Sequence, residues 1–203
     1  MTRDITKKDK NELTFKEKLI ISFYDCAMSI VGAMIVILLM YTFGVKGVAV
    51  DGTSMVPTLN HGDRLVITAF CIEPKQGDII VSTQPNAFDN AIIKRVIATE
   101  NQTVDIDFNN GDVFVDGELL NEPYINNLTI NSEGVQFPLT IPENHIFVLG
   151  DNRQGSTDSR SELIGLIKEE YIFGVAKLKI FNYVEDYDGK SFKFYKPSEW
   201  IIK

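Results

Sequence analysis

A serine on a tight turn, a lysine among aliphatic residues and two histidines are the side chains here whose types suit nucleophilic chemistry. Ser54 lies within Val50-Asp-Gly-Thr-Ser-Met-Val-Pro-Thr-Leu59, directly after the β-type approach Val48-Ala-Val50. Gly52 permits a sharp turn, and Pro57 stops the segment from continuing as a helix or central strand, so Ser54 is on display. A serine hydroxyl becomes a nucleophile only beside a base. His61 lies in a turn and His145 precedes a strand, and both read more simply as surface or turn residues. Val56 stands where a Gly-x-Ser-x-Gly elbow needs its second glycine. Neither a His-Glu-x-x-His helix nor paired cysteines occur, so no metal or cofactor is expected.

Lys94 is the stronger base. In Ala91-Ile-Ile-Lys-Arg-Val-Ile-Ala98, a period of two sets Ile92, Lys94 and Val96 on one face and Ile93, Arg95 and Ile97 on the other. A lysine fixed among aliphatic chains loses the hydration of its charged form, and its pKa falls from ~10.4 toward neutrality. The competing reading is an exposed Lys94–Arg95 pair on an edge strand. Periodicity leaves both open, because forty residues separate Lys94 from Ser54.

These residues need elements to hold them. The chain has 203 residues, 44% hydrophobic and 24% charged, which is globular in character. Its net charge is −8; residues 1–44 carry six Lys/Arg against five Asp/Glu, which leaves −9 for the rest. An acidic body argues against nucleic acid as a partner. Cys26 and Cys71 fall in different parts of the chain, so the fold is not expected to depend on a disulfide.

Twenty uncharged residues run from Cys26 to Val45, enough as helix to cross the roughly 30 Å core of a bilayer. That is longer than the apolar run of a cleaved signal peptide. A transmembrane helix is expected over 25–45, with a segment 1–24 before it and Asp25 at the inner interface. Arg3, Lys7, Lys8, Lys10, Lys16 and Lys18 precede the span, and only Lys46 follows immediately. That asymmetry predicts a cytoplasmic N-terminus and an extracytoplasmic domain over 46–203. Only nine residues, Lys46 to Ser54, link the helix end to the serine, so Ser54 is expected within about 30 Å of the outer membrane face.

Beyond the span the pattern is β. Short β-branched runs cover 64–70, 78–82, 91–98, 103–108, 112–115, 145–149 and 174–181, with turn residues between them. Asn109-Asn-Gly111 and Asp116-Gly117 are hairpin turns. Residues 100–144 read as an inserted excursion, and 167–173 as the one short amphipathic helix of the body. The expected fold class is all-β, with antiparallel, barrel-like sheets and a smaller β excursion, on one N-terminal transmembrane helix.

Taken in order, Gly52-Thr-Ser-Met-Val-Pro-Thr-Leu59 with Gly62-Asp63, Gly77-Asp-Ile-Ile-Val81, Lys94-Arg95 and Gly150-Asp-Asn-Arg-Gln-Gly-Ser-Thr-Asp-Ser-Arg160 resemble the motif series of the type I signal peptidases. The single anchor is similar to that of the Gram-positive members. The resemblance implies Ser54 as nucleophile, Lys94 as general base, Ser156 as the hydroxyl that orients the lysine amine, and Asp158 with Arg160 as a bracing ion pair. Some members carry a serine two residues before the nucleophile to bind the oxyanion. Gly52 occupies that position here, which leaves the Ser54 N–H with a Gly52-region amide or water.

The implied activity is cleavage of signal peptides from secreted precursors by a membrane-bound monomer in contact with lipid. The substrate would add as a strand beside residues 48–51 or 77–82. Val48, Ala49, Val50, Asp51, Met55 and Pro57 are its expected contacts, with pockets that admit only small side chains. Two other readings are a Ser/Lys peptidase dedicated to one client and an inactive peptide-binding paralogue.

Overall fold

A computed structural model describes residues 14–42, 44–70, 72–85, 90–186 and 189–196. Arg3, Lys7, Lys8, Lys10, Cys71 and the tail beyond 196 lie outside them. The chain forms two compact units, Met1–Thr42 and Phe43–Lys203.

Among the described residues the first unit is a helix, α1 (Phe15–Thr42), with no buried residue, whose most apolar stretch of 18 residues has a mean hydropathy of 2.1. It is the one helix among the described residues long and apolar enough to cross a membrane. It starts ten residues before the expected span because Thr14 caps it: the Thr14 N–H and hydroxyl both donate to Glu17, each at 2.8 Å. It stops short of Val45, the expected end. Gly44 takes a left-handed φ of +70°, and Val45 already belongs to a strand.

Among the described residues the regular structure of the second unit is β apart from one 3-10 turn. Its strands are β1 (Val45–Ala49), β2 (Asp63–Thr68), β3 (Ile79–Ser82), β4 (Ile92–Ala98), β5 (Thr103–Asp107), β6 (Asp112–Val115) and β7 (Glu118–Leu119). They continue with β8 (Leu139–Thr140), β9 (His145–Leu149), β10 (Ile167–Lys168), β11 (Ile172–Asp186) and β12 (Gly189–Phe194). An antiparallel sheet runs β1-β2-β11-β3-β4-β9-β10, with β12 paired to β11. A second sheet runs β7-β6-β5-β8 and forms the excursion. Gly111 (φ +81°) turns β5 into β6 while Leu128 packs so close that a Cβ on Gly111 would lie 2.6 Å from it.

The excursion does not stand apart. Val104, Ile106, Val113 and Val115 share one core with Ile97 of β4 and with Phe147 and Leu149 of β9. The Phe137 ring meets Phe108 and Phe147 edge-on, at 5.8 Å in both cases.

Two stretches differ from expectation. Residues 167–173 are not an amphipathic helix: they form β10, a single 3-10 turn (Glu169–Tyr171) and the start of β11. Ile167 and Ile172 are drawn into the core beside Ile146 and Val148, and β pairing there outweighs a weak local helical period. The C-terminal stretch, with no expected structure, supplies β12 and extends β11 to fifteen residues.

Candidate active site

Residues 51–62 form a loop closed at its base, where the Val50 N–H donates to the Asp63 carbonyl (2.8 Å) and the Gly62 N–H to the Val50 carbonyl (2.9 Å). Met55 and Leu59 are fully buried in a cluster with Val50, Leu65, Ile67 and Val81, and so pin the loop to the sheet. Ser54 sits between buried Met55 and exposed Gly52, whose φ of +97° suits glycine.

Lys94 meets it from β4. Its Nζ is hydrogen-bonded to Ser54 Oγ at 2.9 Å and donates to the Ile93 carbonyl at 3.2 Å. Lys94 is 5% exposed and Arg95 1% exposed, so the exposed basic pair is excluded. Burial, partly offset by the Asp158 carboxylate, lowers the Lys94 amine from 10.5 to about 8. Arg160 adds to the lowering and Asp151 opposes it. Arg95 points the other way, into a forked pair with Asp151 (2.8 and 2.7 Å) and onto the Gly77 carbonyl.

The block 150–160 closes on the loop from the far side. The Asn152 N–H donates to the Ser54 carbonyl (3.0 Å), its side chain to the Thr53 carbonyl (3.2 Å), and Thr58 donates to Asp151. Ser156, expected to orient the Lys94 amine, makes no direct hydrogen bond to it here; its hydroxyl donates to Asp158 Oδ2 at 2.9 Å, a charged and therefore stronger acceptor. Asp158 in turn receives the Gly150 N–H (3.0 Å) and two Arg160 nitrogens (2.8 and 3.0 Å).

A Cβ on Gly150 would lie 2.2 Å from Ser156 Oγ and 2.6 Å from the Ser54 carbonyl oxygen. Gly150→Ala is therefore expected to push the two segments apart. It should cost about 1–3 kcal/mol of stability, which thermal melts of the two proteins check.

A shallow groove of about 140 Å³ runs past Ser54. Val48, Ala49, Val50, Asp51 and Met55 line one wall. Val81, Ala91, Ile92 and Ile93 line the other. Three strands separate β1 from β4 in the sheet order, so the sheet must curl for both to border one groove. Pro57 is exposed and does not line it. Among the described residues no group of His, Cys, Asp or Glu is arranged to hold a metal ion.

The family model described as "Signal peptidase, peptidase S26" matches residues 23–181. The chain belongs to the signal peptidase family. The signal peptidase I S of Bacillus subtilis (strain 168) is 32% identical over 187 residues, covering 87% of this chain and 97% of that one. A probable signal peptidase I-1 of Synechocystis is 37% identical over 162 residues, 73% of this chain and 78% of its own. A solved signal peptidase I from Enterococcus faecalis V583 is 28% identical, covers 51% of this chain and 97% of its own, and has a TM-score of 0.43. As a member of this family, the signal peptidase described here is a serine-type endopeptidase, a hydrolase that processes signal peptides.

In this signal peptidase the Gly52 N–H is engaged by His61 Nδ1 (3.2 Å), while the Ser54 N–H has no partner among the described residues. Sequence reading also passed over a buried second brace. Arg153 donates to both Glu122 oxygens, to Thr129 and to the Gly150 carbonyl, which ties the excursion to the 150–160 block. The residue types were visible, but nothing local pairs positions thirty-one apart.

Proposed function

We propose that Ser54 is the nucleophile and Lys94 the general base of this peptidase. The anchor would hold the N-terminus in the cytoplasm and the catalytic unit, as a monomer, at the outer lipid surface. The observation that carries the dyad is the 2.9 Å approach of a buried amine to the serine hydroxyl. The greater number of Lys/Arg before residue 25 than immediately after residue 45 supports the orientation.

A precursor would lie extended in the groove, paired with main chain at residues 48–51 and along the start of β4. Between Val48, Val81 and Ile93 there is room for small side chains near the scissile bond, and larger ones are excluded sterically. The neutral Lys94 amine takes the Ser54 proton as Oγ attacks the carbonyl carbon. The Ser54 N–H donates to the developing oxyanion, a bond typically worth a few kcal/mol. The ammonium then protonates the leaving amine, and the regenerated amine takes a proton from the water that hydrolyses the acyl-enzyme.

Only the neutral amine serves, so the sign of the pH dependence follows. With the Lys94 pKa lowered to about 8, kcat/KM should rise about tenfold per pH unit below that value and level off above it. Initial rates on a model precursor between about pH 6 and 10 test this. A flat profile would refute the lysine base.

A further inference from the structure

The loop that carries Ser54 is held from two sides, and only one belongs to the 150–160 block. The other is the C-terminal hairpin, whose residues from 182 on lie beyond the stretch matched to the family. Lys179 Nζ donates to the Thr58 carbonyl (3.1 Å), and Asn182 Nδ2 to the His61 carbonyl (3.0 Å). Asn182 Nδ2 also donates to Asp63 Oδ1 (2.6 Å), as does the Tyr195 hydroxyl (2.7 Å).

Asp63 is fully buried at the loop base. Its Oδ2 takes the Asn60 N–H (2.8 Å), its N–H donates to the Asn60 carbonyl (3.1 Å), and its carbonyl takes the Val50 N–H (2.8 Å). The hairpin is itself tied together here: Lys179 Nζ lies 4.3 Å over the Tyr195 ring, and the Tyr195 N–H donates to the Ile180 carbonyl. The Asn182 amide can face only one way, since turning it over would set its oxygen against a carboxylate and a carbonyl.

Three donors from outside the loop thus end on two of its carbonyls and on the carboxylate at its base. We infer that Lys179, Asn182 and Tyr195 are positioning residues that act through Thr58, His61 and Asp63 to hold Ser54 within reach of Lys94. This rests on Ser54 being the nucleophile. A loop of this length without regular structure has many conformations of similar energy. Pinned on one side only, it lets Ser54 drift from the amine.

The test uses the full chain with a model precursor and four variants: Tyr195→Phe, Lys179→Met, Lys179→Arg and Ser54→Ala. Tyr195→Phe keeps the ring and removes one hydrogen bond; Lys179→Arg keeps a donor for the Thr58 carbonyl. Tyr195→Phe and Lys179→Met are each expected to lower kcat about tenfold with KM nearly unchanged. Covalent labelling of Ser54 by a small acylating probe should slow by the same factor at temperatures well below each variant's Tm. Lys179→Arg should restore the rate.

Wild-type kcat in both Tyr195→Phe and Lys179→Met would overturn the inference. So would a loss confined to KM, a loss seen only near the melting temperature, or one that Lys179→Arg fails to restore. Ser54→Ala separates the two ideas in the same assay. An active Ser54→Ala removes the nucleophile assignment, whereas an inactive one beside unimpaired hairpin variants removes the brace alone.

Discussion

Ser54→Ala is expected to lower precursor cleavage by at least ~10⁴-fold while the protein stays folded. Ser54 is half-buried rather than in the core, and among the described residues its hydroxyl is bonded to Lys94 Nζ. Met55 and Leu59, which anchor the loop, are untouched by the change. What disappears is the atom that would form the acyl-enzyme, and neither the groove nor the backbone donor can replace covalent chemistry. Electrophoresis of a model precursor, beside a thermal melt of both proteins, measures the two halves of the claim. Cleavage by the alanine variant at even a hundredth of the wild-type rate would mean that another group attacks the peptide.

The second large effect separates activity from stability. Lys94→Arg and Lys94→Met should both be inactive, by roughly three orders of magnitude or more. A guanidinium keeps its proton at any pH the enzyme meets, and a thioether has none to exchange. Lys94→Met should nevertheless be the more stable protein near neutral pH. The unfolded chain holds the lysine proton up to about 10.5, whereas the folded chain releases it near 8. Between those values the unfolded state binds more protons, so wild-type stability rises with pH, and below about 8 the full cost of the buried ammonium is present. That cost is on the order of 3 kcal/mol. The advantage of Lys94→Met should be greatest below about pH 8 and shrink toward pH 10. Melting temperatures of the two proteins across that range check it, and identical curves would contradict a desolvated amine.

Much of this site was legible because its parts are short and contiguous. The turn around Gly52 and the hairpin glycines each declare a local geometry that the structure keeps, whereas the block ending Asp158-Ser-Arg160 was legible only through its resemblance to a family. The strand β4 was harder. Its alternation sorted Lys94 from Arg95 correctly, yet could not say that both faces are covered, because a period of two looks the same when the polar face is also buried. The exposed pair and the buried base therefore both stay open on the sequence, with the exposed pair the simpler of the two, and the burial of Arg95 against Asp151 decides between them. Residues 167–173 misled for a related reason: seven residues are too few to separate one helical turn from a strand that ends in a 3-10 turn. The bonds that hold the Ser54 loop from Lys179, Asn182 and Tyr195 span more than a hundred positions, and no pattern along the chain announces them.

The excursion over 100–144 reads along the chain as a removable ornament, but its core is also that of β4 and β9. Trimming it away would leave Ile97, Phe147 and Leu149 facing water and strand the Arg153 guanidinium without Glu122 or Thr129. An evolutionary lineage or an engineer seeking a smaller enzyme would have to rebuild that wall rather than merely shorten a loop. Here the dispensable-looking fifth of the molecule is one wall of the room in which the strand of Lys94 is kept dry.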